Sequence, residues 1–340
     1  MAKNEPTMEE WKSLFHAAKM FKELAPWEWM EDADVFGIEN PEDGEIGYCC
    51  ILGTLGEVLG LLVYRGSEGL SVYEGLQSGE ITVADEDLFA KQKCLAMTFD
   101  DRDMLAKKDL AVIKTLGIKF RGRQAWPSFR SHLPGFMPAH LTGAEARFLE
   151  FALRAAMGVA ERFREDPDIL TPPEEGLYLV ASVAKEHGSQ VWHERWHRPE
   201  PYEPSKVAVP IDEVRLARIK ANSQKVEAAW EVDFFYAPFV IREGERPFYP
   251  YVAIYAVHKD HFVVNFCLAP HGEFEVMFLE NLLELLEKTK VLPKSVMVNK
   301  AVAFDFFKPI TAGLGISLKT VKSLKAVDDA KNALLSSMGV

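Results

Sequence analysis

His193, Glu194 and His197 stand in the order His-Glu-x-x-His. On a helix that spacing offers two imidazoles to one zinc ion and a carboxylate to the water it activates. The chemistry depends on the helix, because only its period brings residues four apart to the same face at close range. The flanks argue for something else. VASVAKEHGSQVW is rich in strand-forming residues, and RPEPYEP ends any regular element, so residues 189–197 are expected to form a strand. At a rise of ~3.3 Å per residue the two rings would then lie ~13 Å apart, too far to share one tetrahedral zinc at ~2.0 Å. No third ligand is evident downstream, so no metal site is assigned and a zinc hydrolase becomes the weakest of the functional alternatives.

A second group has the residue types for binding rather than catalysis. Lys119, Phe120, Arg121, Arg123, Trp126, Phe129 and Arg130 fall within one Pro/Gly/aromatic stretch, residues 119–141, that reads as a loop. Guanidinium forks beside flat rings suit phosphate, carboxylate or base recognition. Arg121, Arg123, Trp126, Phe129 and Arg130 are therefore the candidate ligand-binding residues. Arg123 and Arg130 are expected to point into one cleft, with Trp126 and Phe129 as its wall. Pro127 and Pro134 lower the entropy lost in ordering it. The structural alternative is that the arginines pair with carboxylates while the rings plug the edge of a core.

The remaining chemical groups carry less. Asp100, Asp101 and Asp103 could hold a divalent cation, but they lack the spacing of a calcium loop, and Asp101 or Asp103 could cap the next helix. The acids at 31–34 and 39–45 read as a solvated loop. No P-loop, strand-borne GxGxxG or GxSxG elbow is present, and no cofactor is implied. Cys49, Cys50, Cys94 and Cys267 have no metal-binding spacing; the adjacent pair would face opposite sides of a strand as reduced core residues.

The elements that must position these groups are legible from periodicity. At 340 residues, 48% apolar, the chain has material for two cores. Helices are expected at 7–26, 67–79, 104–116, 142–164 and 211–229, with strands at 46–53, 57–66, 94–99, 177–184, 189–197 and 230–241. A turn at Lys185–Gly188 and a proline-marked linker at 199–210 separate them. Beyond, a hairpin at 246–269 gives way to alternating helices (274–290, 301–313, 326–337) and strands (295–299, 316–321). The expected class is α+β: an acidic α+β domain with antiparallel hairpins over 1–240, and a mixed-sheet domain over 241–340. Charge follows that division. The net charge is −12, and residues 240–340 hold 12 basic against 11 acidic side chains, leaving 27 against 40 before them. Such acidity opposes non-specific nucleic-acid or membrane binding. The start MAKNEPTMEEWKSLF shows no signal peptide, and no apolar run approaches a membrane span, so a cytoplasmic protein is expected.

The stretches PWEWMEDADVFGI, GYCCILG, WPSFRSHLPGFMP and RPFYPYVAIYAV resemble an uncharacterised bacterial two-domain family, described as domains of unknown function. The element order after residue 246 resembles the RNase H-like fold. That resemblance implies a metal centre built from carboxylates, the first on the opening strand. Taken as YVAIYAV, that strand carries none, while Asp328 and Asp329 sit where they complement a helix dipole. The functional expectation is a non-catalytic binding or interaction module whose partner is a small anionic ligand or a protein. A metal-dependent phosphoryl-transfer enzyme or nuclease is the alternative.

Overall fold

Thr7 opens the first helix, α1 (Met8–Leu24): its hydroxyl accepts the Glu10 amide while the Glu10 carboxylate accepts the Thr7 amide. The computed structural model describes residues 5–81, 88–186, 189–202, 212–244 and 246–338. These form two compact units, one of residues 5–134 and 138–202, the other of 135–137 and the described residues from 212 onward.

In the first unit α1 is followed by β1 (Phe36–Glu39), β2 (Ile46–Leu52), β3 (Leu59–Arg65), α2 (Gly66–Ser78), α3 (Leu88–Lys91), β4 (Cys94–Asp100), α4 (Lys107–Leu116), β5 (Trp126–His132), α5 (Gly143–Glu165), β6 (Tyr178–Glu186) and β7 (Ser189–His197). The seven strands lie in the order β5-β4-β3-β2-β1-β6-β7, antiparallel except for β1 with β6. On one face α1 and α5 bury Leu14, Phe15, Phe21, Leu149 and Leu153 against Ile51, Leu61, Val63 and Met97. On the other, Leu70 and Tyr73 of α2 pack on Tyr48, Cys50 and Tyr64. Cys49 and Cys50 do take opposite faces.

Two strands lie where loops were expected. β1 is only FGIE, too short to show alternation, and its place is fixed by close approach: a Cβ on Gly37 would lie 2.7 Å from a Val180 methyl. β5 contains Pro127, which argues against an interior strand, but β5 is the edge, where a missing amide need cost no ladder bond. It is held by pairing with β4 from Cys94↔His132 to Asp100↔Trp126.

The second unit contains α6 (Glu213–Asn222), β8 (Gln224–Tyr236), β9 (Tyr251–Val257), β10 (Val263–Ala269), α7 (Phe274–Thr289), β11 (Val291–Val298), α8 (Ala301–Leu314), β12 (Ser317–Thr320) and α9 (Lys325–Met338). Its sheet runs β10-β9-β8-β11-β12, with β8, β9 and β10 an antiparallel meander and β11 parallel to both β8 and β12. Trp230, Val232 and Phe234 of β8 face α6, α7 and α8, and α9 covers the opposite face. The helix expected to reach 229 stops at Asn222, and β8 starts at Gln224. The non-local ladder from Gln224↔Val291 onward overrides the helix-forming residues of QKVEAA. This unit therefore starts well before the division expected at 240. His187-Gly188 of the expected turn and residues 203–210 of the expected linker lie outside the described residues. Among the described residues no helix is long and apolar enough to cross a membrane.

Candidate functional site

The positive stretch after α4 is ordered by its own turn chemistry. Gly117 ends α4 in the left-handed conformation, and the amides of Gly117 and Ile118 close on the carbonyls of Lys114 and Ile113. Seven residues later Gln124 is pinned from three sides. Its amide donates to Asp101 Oδ1 at 2.7 Å, and its side chain donates to the carbonyls of Gly56 and Glu57, each at 3.1 Å. Its own carbonyl accepts from Lys22 Nζ, whose pKa burial depresses. These contacts hold Gln124 at φ 45°, a conformation that costs a non-glycine residue about 1–2 kcal/mol.

Between these anchors the chain walls an open cleft of about 440 Å³. Leu110, Ile113, Ile118, Phe120 and Trp126 form its apolar lining, and Arg102, Lys114, Lys119 and Arg121 its polar lining. Those four cations are exposed, and none of them forms an ion pair with a carboxylate among the described residues. Arg102 lies over the Trp126 ring at 5.7 Å. Trp126 meets Phe120 at 5.6 Å and 58°, and Phe120 in turn meets Phe15 at 6.0 Å.

The structure divides the five candidate residues. Arg121 and Trp126 line the cleft. Arg123 is 94% exposed and only 3.8 Å from Asp101. Arg130 is bound to Asp109 through two parallel hydrogen bonds of 3.0 and 2.6 Å, and Phe129 is buried against Trp11 and Phe15. Strand register sets Phe129 apart, since it alternates in face with Trp126 and Arg130, and the Asp109 carboxylate sets Arg130 apart from Trp126. The expectation that Arg123 and Arg130 converge on one cleft is thus corrected: Arg130 already has a carboxylate partner. Burial alone would raise the Asp109 carboxyl, but hydrogen bonds from His140 and Arg130 outweigh it and hold the group well below the usual carboxylate range. Lys119 and Phe120 of the same stretch line the cleft too, while Arg102 and Lys114 complete its charged lining from before that stretch, and their distance from it in sequence hid them. Asp101 caps no long helix; it fastens the loop through Gln124, while Asp109 supplies the reciprocal bond at the start of α4.

Residues 11–181, half of the chain, match the family described as Domain of unknown function (DUF7309). The chain belongs to this family. The match includes every residue of the cleft and most of the first unit's sheet. Residues 215–335 match a second family, Domain of unknown function (DUF6930), which corresponds to the second unit. No curated protein matches the chain.

The HERWH stretch is β7, paired antiparallel with β6 so that His193 faces Ser182 and His197 faces Tyr178. Glu194, on the alternate face, is paired with Arg162. Trp192 stacks on Phe151 at 5.4 Å. Among the described residues no three His, Cys, Asp or Glu side chains are grouped to hold a metal. Burial pushes the Cys50 and Cys94 thiols each up to about 12, far from a reactive thiolate at neutral pH.

The second unit's acids lie within the strand expected at 230–241 but were not singled out, because YVAIYAV was expected to open the sheet, whereas β8 holds that place. Glu231 and Asp233 lie two residues apart on β8, both fully buried. Glu231 accepts the amides of Ala326 and Val327 at 2.8 and 3.2 Å at the start of α9, and also meets His258. Asp233 accepts the Phe234 amide at 2.8 Å and is paired with both Lys300 and Lys331. Two acids two residues apart in the otherwise apolar run WEVDFFY were the available signal.

Proposed function

We propose that the first unit is a binding module for a small, multiply charged anion held in the cleft beside Trp126. The observation that carries this reading is the gathering of Arg102, Lys114, Lys119 and Arg121 around one concavity, with no ion-paired carboxylate among the described residues, in a protein of net charge −12. Four like charges repel one another, so placing them around one hollow stabilises the fold less than dispersing them would. An anion in the hollow reverses that cost. Among the described residues the lining offers no carboxylate, imidazole, hydroxyl or thiol, which favours binding over catalysis.

The test is titration calorimetry of the full chain with inorganic pyrophosphate. Micromolar to submillimolar binding that weakens with salt is expected, and Lys119→Ala/Arg121→Ala should remove it without lowering Tm, since both side chains are exposed. No heat and no thermal stabilisation at millimolar pyrophosphate would end the reading; a ligand at a hundred times its Kd stabilises by about 2.7 kcal/mol.

The second unit is read as a non-catalytic RNase H-like domain. Support comes from the strand order, a three-strand antiparallel meander with two parallel strands added beside its first member. The opening strand in that reading is β8, which does carry acids. The donor set does not fit a divalent cation, however. Asp233 is neutralised by two ammonium groups, and Glu231 is committed to a helix start and an imidazole. Internal cations take the place that the resemblance would give to metal ions.

A further inference from the structure

We infer that the ligand of the Trp126 cleft carries a flat ring beside its anionic group, and that a nucleoside monophosphate is the chemical class that fits. This rests on the anion-binding reading and goes beyond it, because charge alone leaves half of the lining unexplained. Leu110, Ile113, Ile118, Phe120 and Trp126 present apolar surface to the same hollow as the four cations. A bare phosphate or pyrophosphate gains nothing from that surface and loses hydration against it. A ring gains burial and stacking, on the order of 1–3 kcal/mol for a base against an aromatic side chain.

The geometry of the rings supports this use. Phe120 and Trp126 are tilted at 58° with centroids 5.6 Å apart, so they do not cover each other's faces. Phe15 behind Phe120 and the β4–β5 ladder behind Trp126 fix both in place, which lowers the entropy lost on binding. Arg102 over the Trp126 ring adds a planar cation that can stack or bond to phosphate.

Size sets the other limit. At about 440 Å³ the cleft lies in the range of small-molecule sites and is too large for a lone phosphate. Four cations in an acidic protein supply too little charge for a polymeric nucleic acid, whose binding depends on a longer run of phosphate contacts.

The experiment compares adenosine monophosphate, ribose 5-phosphate and pyrophosphate by calorimetry on the full chain. Adenosine monophosphate should bind at least tenfold more tightly than ribose 5-phosphate. Trp126→Leu should lower adenosine monophosphate affinity toward that of ribose 5-phosphate, so that the ratio between the two falls to near one; Phe120→Leu serves the same purpose should the first variant fail to fold. Equal affinities for adenosine monophosphate and ribose 5-phosphate would overturn the ring inference and leave the anion site standing. If pyrophosphate and both organic phosphates all fail to bind at millimolar concentration, the anion reading falls and this inference with it.

Discussion

Replacing Lys300 and Lys331 together by Met tests whether the carboxylate at the centre of the second sheet is held by internal cations. The Asp233 side chain is 2% exposed, so its charge must be balanced locally. It has the Phe234 amide at 2.8 Å, Lys300 at 3.0 Å, and Lys331. Charge-assisted hydrogen bonds contribute about 1.5–3 kcal/mol when well buried. Lys300 is 41% exposed, and solvent screening reduces its share to about 1 kcal/mol. Lys331 is 23% exposed and lies over Phe235 at 4.4 Å, so about 2 kcal/mol is reasonable for it. The double variant strands the carboxylate with one amide and should lose about 3 kcal/mol, the lower end of the cost of an unpaired buried charge. Urea unfolding of the full chain, followed by hydrogen exchange of the β8 amides, would show a midpoint lowered by about 1–2 M in that region. Adding Asp233→Leu to the double variant should recover much of the loss, because the stranded charge is gone. A double variant as stable as the parent would refute the account. So would a triple variant no more stable than the double.

Three further outcomes are expected. Asp109 has a folded-state pKa below its unfolded value of about 3.9, so its contribution is full above that pH and is lost as pH falls toward the folded value. Asp109→Asn should therefore cost about 2 kcal/mol at pH 7, and the gap to the parent in denaturant midpoint should close progressively below pH 4. Cys49, Cys50 and Cys94 are buried with raised pKa values, so iodoacetamide at pH 7.5 should label the native protein, if anywhere, at Cys267; rapid labelling of Cys50 seen by peptide mass spectrometry would contradict the packing under α2. His193→Ala should leave the zinc content of the purified protein unchanged and below one equivalent by plasma mass spectrometry, since β7 separates His193 from His197.

Much of the fold was legible because it is written in local signals. The capping box at Thr7 and Glu10, the left-handed glycines Gly79 and Gly117, and the amphipathic stripe of α5 each locate an element within a few residues. The strand nature of HERWH was readable too, from β-formers on one side and prolines on the other. Of the site, Lys119, Phe120, Arg121 and Trp126 were visible, as cations and rings close in sequence. The composition by itself determined that acidic side chains outnumber basic ones before residue 240, 40 against 27, so that a local gathering of unpaired positive charge there is significant.

Tertiary structure decided what pairing and proximity decide. FGIE and WPSFRSH are strands because neighbouring strands supply their ladders, and β8 replaces a helix because β11 runs beside it. The same non-local contacts set the roles of the charged residues. Arg130 is removed from the cleft by Asp109, 21 residues before it, while Arg102 and Lys114 enter the cleft from the other side of α4's start and from its last turn. Asp233 is balanced by lysines 67 and 98 residues away. Sequence records which charges a chain has; whether each is spent on an internal partner or left facing a hollow depends on distances of a few ångströms between segments far apart in sequence, and only the fold sets those.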